Sequence, residues 1–171
     1  MEKDIFAERA SVRAFLPDEV PQHDIDMMLR AAIDAPSAGN CQPWHFYVVR
    51  NSELKRELSR CAYKQKFVYA APVVIVVCAV PGRSMLRYFN RGRDLYCLQD
   101  TAAAIQSMLL CAVQQGLGTC WCGAFDEEDV SKVLSLPKKH RPVAIIPVGY
   151  SSAVPKKPKR IAVEKVVDYM D

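Results

Sequence analysis

No Cys-x-x-Cys pair occurs among the seven cysteines of this 171-residue chain. An odd number at irregular spacing gives neither a disulfide framework nor a ferredoxin-type cluster, and the expectation is a reduced, cytoplasmic protein. The three histidines, His23, His45 and His140, fall in separate segments without metal-ligand spacing, so no metal site is expected. The longest purely apolar run, Val73 to Val80, is strand-length and far short of the about 20 residues a membrane helix needs. The opening stretch, Met1 to Arg9, is charged throughout and offers no signal-peptide core. Glycine is sparse, and Gly116-Leu-Gly118 follows a helical pattern instead of opening one, the wrong context for a dinucleotide fingerprint.

What is present is average globular material. Half the residues are apolar and 25% are charged, enough for one domain spanning residues 1–171 with a real core. The excess of 23 Lys+Arg over 19 Asp+Glu is mild and suits an anionic small molecule as well as nucleic acid. Little aromatic interleaving accompanies the basic clusters, so nucleic acid is not the expected partner.

Ile25, Met28, Leu29, Ala32 and Ile33 form the stripe of a helix that Pro21 opens and Pro36 closes. Phe46 to Val49 reads as a strand, and Ser52 as the cap of a helix that buries Leu54, Leu58 and Cys61. The run from Val73 is too dense for a half-exposed strand and belongs in the middle of a sheet covered on both faces. Between Asp94 and Gln115, Leu95, Leu98, Ala102, Ile105, Leu109 and Ala112 mark a heptad seam on a helix whose other faces are apolar too. Such a helix must be covered nearly all round, and a second subunit is the expected cover. Gly116 and Gly118 end it, an extended Thr119 to Gly123 follows, and Asp126 with Asp129 resembles a capping box. Val143 to Gly149 is a further buried strand, with Pro147 pointing to an edge or a bulge. A basic Pro/Lys loop, Ser151 to Arg160, precedes a short apolar segment (Ile161, Val163, Val166, Val167) that has to dock elsewhere. The expected class is α+β.

Three segments carry candidate chemistry. In Arg9-Ala-Ser-Val-Arg13 an extended backbone puts two guanidiniums and a hydroxyl on one side, the donor set of a phosphate monoester site or, equally, a solvated charged turn. Lys156-Lys-Pro-Lys-Arg160 either closes over the same anion or is a solubilising loop. Ala35-Pro-Ser-Ala-Gly-Asn-Cys-Gln-Pro-Trp44 stiffens a loop with two prolines and offers Ser37, Asn40 and Gln42 to a planar polar ligand. Cys120 and Cys122 would point the same way in an extended segment, though buried cysteines usually act as small hydrophobes.

These segments, with Gln115-Gly-Leu-Gly-Thr-Cys-Trp-Cys-Gly-Ala-Phe125 and Arg141-Pro-Val-Ala-Ile-Ile-Pro-Val-Gly-Tyr150, resemble the FMN-dependent nitroreductase family over essentially the whole chain. The resemblance implies an α+β fold with a mixed central sheet flanked by helices, a long central dimerisation helix and an intertwined homodimer. It implies FMN held at the subunit interface. Arg9, Ala10, Ser11 and Arg13 would meet the phosphate and the pyrimidine edge; Pro36, Ser37, Ala38 and Asn40 of the other chain would flank the ring. Gln65 is a further flavin contact on this pattern. Trp121, Cys122, Gly123 and Ala124 would pass along the isoalloxazine with the Gly123 amide at N5, and Lys159 or Arg160 would complete the phosphate site.

The implied activity is an oxidoreductase that carries hydride from NAD(P)H to the flavin and then reduces an electron-poor acceptor, a nitroaromatic or a quinone, in a two-step exchange. No side chain need be catalytic, because the cofactor carries the chemistry. Two alternatives accompany this expectation: another flavin reaction on the same scaffold, such as dehalogenation or flavin destruction, and a flavin carrier without turnover. Cys41 and Cys122 depart from the residues common in the family, and the chain has little room for inserted helices over a substrate pocket.

Overall fold

The computed structural model describes residues 4–170; Met1, Glu2 and Lys3 of the charged opening stretch and Asp171 lie outside it. In chain order the elements are α1 (Ile5–Glu8), α2 (Gln22–Ile33), β1 (Trp44–Val49), α3 (Ser52–Cys61), α4 (Lys66–Ala70), β2 (Val73–Ala79), α5 (Pro81–Arg91), α6 (Cys97–Gln114), β3 (Gly118–Thr119), α7 (Glu127–Val133) and β4 (Arg141–Gly149). The strands form one sheet in the order β1-β2-β4-β3, and every named pair is antiparallel. The parallel pairing that a mixed sheet would need is confined, among the described residues, to an isolated bridge between Ser11 and Thr119 outside the named strands.

β2 lies inside that sheet with all seven residues buried. Its side chains alternate between two cores, as the period of a strand requires. Val73, Ile75 and Val77 pack with Ile25, Met28 and Ala32 of α2 and Ile105 and Met108 of α6. Val74, Val76 and Cys78 face Leu58 and Cys61 of α3, Val68 of α4 and Val130 of α7. The α+β architecture is therefore a sheet between two helical layers, as the dense run predicted.

Several boundaries differ from expectation for local reasons. Asn51, not Ser52, caps α3, because its side chain accepts from the Leu54 N–H at 3.0 Å; Leu54 then faces outward, 37% exposed. The capping box at α7 closes from one side only. The Asp126 carboxylate accepts from the Asp129 N–H at 2.8 Å, but the Asp126 N–H donates to the Cys61 carbonyl. The helix expected from Asp94 begins with a π-turn over Gly92–Tyr96 before α6 proper. Along its seam Ile105, Leu109 and Ala112 are buried, whereas Leu95, Leu98 and Ala102 stay half-buried in the single chain.

Pro147 sits neither on an edge strand nor at the register shift, which falls between Val77 and Cys78 of β2. Ile145 of β4 exchanges both backbone hydrogen bonds with Cys122. Two residues on, Pro147 turns its donorless nitrogen to the same side, where β3 has given way to an irregular stretch. Its carbonyl still accepts from Cys120 at 3.4 Å. A proline is tolerated inside a sheet where no ladder partner asks for its N–H.

Both chain ends are stitched to the β3/β4 end of the sheet. The Val12 N–H donates to Thr119, the Leu16 N–H to Tyr150, and the Ser152 N–H to Ala14. Gly118 and Gly149 face each other across β3 and β4. A Cβ on Gly118 would lie 2.7–2.9 Å from the Val12 side chain, and one on Gly149 2.6 Å from Pro72 and 3.1 Å from Phe15. These glycines let the N-terminal arm lie directly on the sheet. Gly118→Ala is expected to destabilise the fold by about 1–3 kcal/mol through overpacking against Val12, read as a lowered urea midpoint. An unchanged midpoint would show that the arm is not seated this tightly.

Candidate functional site

The arm from Arg9 to Arg13 is extended after α1, and burial alternates along it. Ala10 (8% exposed) and Val12 (5% exposed) turn inward, while Arg9, Ser11 and Arg13 turn outward. Because the C-terminal segment leaves β4 beside this arm, the two basic clusters meet. Arg9, Ala10, Ser11 and Arg13 line a cleft of about 340 Å³ together with Lys156, Lys157 and Arg160. The Lys157 ammonium is fixed by donating to the Ala7 carbonyl at 2.6 Å. Among the described residues no carboxylate pairs with any of these five cations. Arg13 lies 5.7 Å from the centre of the Phe67 ring on α4.

Lys159 does not line this cleft, and Lys156 and Lys157 do. The sequence shows the basic cluster but not its twist, so it could not distinguish which lysines of Lys156 to Arg160 face inward.

Gln65, at the start of α4, reaches the segment after β3. Its Nε2 donates to the carbonyls of Ala62 and Ala124, both at 3.0 Å, and approaches the Cys122 Sγ at 3.2 Å. With the two Cys122–Ile145 backbone bonds this fixes the segment from both sides. Trp121, Gly123 and Ala124 are exposed there, and the Gly123 N–H donates to no protein acceptor among the described residues. Cys120 and Cys122 are buried, and that burial pushes both thiols up, with the Arg13 cation opposing it only in part. Cys122 Sγ also donates to the Ala124 carbonyl at 3.7 Å.

Pro36, Ser37, Ala38 and Asn40 lie between α2 and β1 and are not among the residues lining the cleft. Their loop is locked internally. The Gln42 N–H donates to the Ser37 hydroxyl at 3.0 Å, and the Gln42 amide donates to Asn40 Oδ1 at 3.1 Å. Gly39, Asn40 and Gln42 all have positive φ. A single chain thus presents two polar surfaces, a cationic cleft and a rigid loop.

Two histidines that the sequence kept apart come together away from the cleft. His45 on β1 and His140 before β4 have ring centres 4.4 Å apart, and the Tyr47 hydroxyl lies 2.6 Å from His140 Nδ1. Burial pushes Tyr47 ionisation up, so the phenol stays protonated in this contact. No third ligand joins them, and among the described residues no cluster of His, Cys, Asp and Glu could hold a metal.

The sequence model of the Nitroreductase family matches residues 6–64 and 54–150, which carry the arm, the rigid loop, Gln65 and the segment after β3. The chain belongs to the nitroreductase family. An Archaeoglobus fulgidus protein with the provisional name NADH dehydrogenase/NAD(P)H nitroreductase is 35% identical over 146 residues, 83% of this chain and 80% of its own. A Bacillus subtilis FMN reductase [NAD(P)H] is 26% identical over 91% of this chain and 68% of its own. The crystal structure of a Bacteroides thetaiotaomicron protein provisionally named like the first superposes with a TM-score of 0.84 at 34% identity, over 97% of this chain and 95% of that one. Nitroreductases are oxidoreductases, so the surfaces described above belong to an enzyme.

The histidine pair sets a pH dependence of this nitroreductase fold. Burial first lowers both imidazoles below their ordinary value of 6.5; Arg83 and Lys139 add to this at His45, and His45, Lys139 and Arg83 add to it at His140. The unfolded chain then binds more protons than the folded one as pH drops below about 6.5, so stability falls in that window. His140→Gln is expected to shrink the fall in melting temperature between pH 7.5 and 5.5; an equal fall in variant and parent would assign it to other groups.

Proposed function

We propose that the chain acts as a homodimeric, FMN-dependent oxidoreductase that takes hydride from NAD(P)H and reduces an electron-poor acceptor such as a nitroaromatic or a quinone. The observation that carries this reading is the cationic cleft, in which Arg9, Arg13, Lys156, Lys157 and Arg160 converge around the Ser11 hydroxyl without a carboxylate partner among the described residues. Forked and single cations around a hydroxyl fit the dianion of a phosphate monoester. FMN ends in that group.

Each residue has a distinct task on this reading. Arg9, Ser11, Arg13 and Arg160 bind the phosphate, with Ala10 flooring the site and Lys156 and Lys157 adding field. Gln65 holds the Trp121 to Ala124 segment so that exposed backbone, including the Gly123 amide, faces the ring. Pro36, Ser37, Ala38 and Asn40 of the second protomer wall its other side. The chemistry FMN supplies when bound is two-electron transfer, and the protein's part is to bind, orient and tune it.

Association of two chains is supported by the apolar surface left open on one. Ile161, Val163 and Val166 are each above 60% exposed, and Met27 and Ile33 on α2 are also exposed. A tail with this composition has no interior of its own to fill. A reducing cytoplasm is supported by seven cysteines that are all unpaired.

Arg9→Ala is expected to weaken FMN binding by about 1.5–3 kcal/mol, the loss of a charge-assisted hydrogen bond, measured by titrating flavin-free protein. Equal affinity would put the phosphate elsewhere. With NAD(P)H and a quinone varied together, parallel double-reciprocal lines are expected, because donor and acceptor use one face in turn. Intersecting lines would show both bound at once.

A further inference from the structure

The loop between α2 and β1 is strained and yet over-determined. Asn40 (φ 56°) and Gln42 (φ 47°) are left-handed without being glycine, and Gly39 (φ 54°) stands between Ala38 and Asn40. Residues held in such conformations need surroundings that leave no alternative, and they cluster where a site must be preformed.

The surroundings come from α5 and α6. Arg87 Nη1 donates to the Gly39 carbonyl at 2.9 Å. Arg83 Nη1 donates to the carbonyls of Gln42 at 2.7 Å and Trp44 at 3.2 Å. From the other side the Ala38 N–H donates to Asp100 Oδ1 at 3.0 Å. The grip thus puts an anion on a backbone donor and a cation on the next residue's acceptor. Tyr88 and Arg87 press so closely on Gly39 that a Cβ would strike the tyrosine hydroxyl and lie 2.8 Å from Arg87 Nη1.

Beyond the turn, Arg87 lies 5.6 Å from the centre of the Tyr88 ring. Among the described residues neither Arg83 nor Arg87 pairs with a carboxylate. Asp100 is 6% exposed, and its Oδ2 is buried with no hydrogen-bond partner. Burying a carboxyl group half-satisfied is costly, and directing two exposed guanidiniums at the carbonyls of one turn is a poor use of them unless that turn must keep its shape.

We infer that Asp100, Arg83 and Arg87 are positioning residues that hold the Ala38 to Gln42 turn in its left-handed form, as the wall receiving the flavin of the opposite protomer. This rests on the proposed FMN site. Preorganising the wall removes the ordering cost from binding, so loosening the clamp lowers flavin affinity without touching the phosphate cleft.

The test compares parent, Arg87→Gln, Asp100→Ala and Asp100→Asn as flavin-free full-length proteins. Amide hydrogen exchange over residues 35–44 reads the clamp, and titration with FMN reads its consequence. Arg87→Gln, an exposed substitution, and Asp100→Ala are expected to speed exchange in this loop about tenfold and to weaken FMN about tenfold, with melting temperature and dimer intact. Asp100→Asn, which keeps an acceptor for the Ala38 N–H, is expected to stay near the parent in both. Unchanged exchange, or faster exchange with parental FMN affinity, overturns the clamp while leaving the cofactor reading standing. An affinity loss that only follows a lost dimer or a lowered melting temperature overturns it as well. A parent protein that takes up no FMN overturns the cofactor reading itself, and the clamp's role with it.

Discussion

The seating of Val12 on a residue without a Cβ governs where the charges of this protein end up. Gly118 lets the arm come within hydrogen-bond reach of Thr119, and Gly149 leaves room for Phe15 beside Pro72. Once the arm lies there, its alternation turns Ala10 and Val12 in and Arg9, Ser11 and Arg13 out. The chain's other end leaves β4 at the same place and brings Lys156, Lys157 and Arg160 across. Like charges repel, so cations gathered in this way without carboxylates among the described residues sit against electrostatic preference. The two cores of the sheet supply the stability that tolerates it. An anion between them relieves the repulsion, which is why the cleft reads as a binding site and not as a solvated turn.

The same division between a stable frame and constrained surface runs through the rest of the molecule. β2 and the faces of α2 and α6 are buried, while the polar groups proposed to face the flavin lie on the arm, the loop after α2 and the segment after β3. Each of these three is pinned by partners distant in sequence: Thr119 for the arm, Asp100 and two arginines for the loop, Gln65 and Ile145 for the last segment. Rigid loops on a packed scaffold are how proteins keep polar groups aimed without a ligand present.

Much of this was legible in the amino-acid order. The dense run from Val73 could only be a doubly covered strand, and the period of α2 marked its inner face. Arg9, Ser11 and Arg13 had to share a side once the arm was extended. What the sequence hides depends on distances across the fold. Asn51 outcompetes Ser52 as a cap because of backbone direction, and Pro147 is tolerated because of what its neighbour lacks. The inward lysines of the basic loop follow from its path past Ala7, which no spacing encodes. The stacking of His45 on His140 likewise needs the sheet to bring β1 beside the turn before β4. Family resemblance supplied the roles of Pro36, Ser37, Ala38 and Asn40; composition alone showed only a stiff polar loop.

On the proposed function the cleft recognises a terminal phosphate and not simply a flavin ring. This is tested most directly by titrating the flavin-free protein with FMN and with riboflavin, which differ only in that group, at low and high salt. FMN is expected to bind at least about a hundredfold more tightly at low salt, with the gap narrowing as ions screen the cleft. Equal affinities for the two flavins, unmoved by salt, would contradict it.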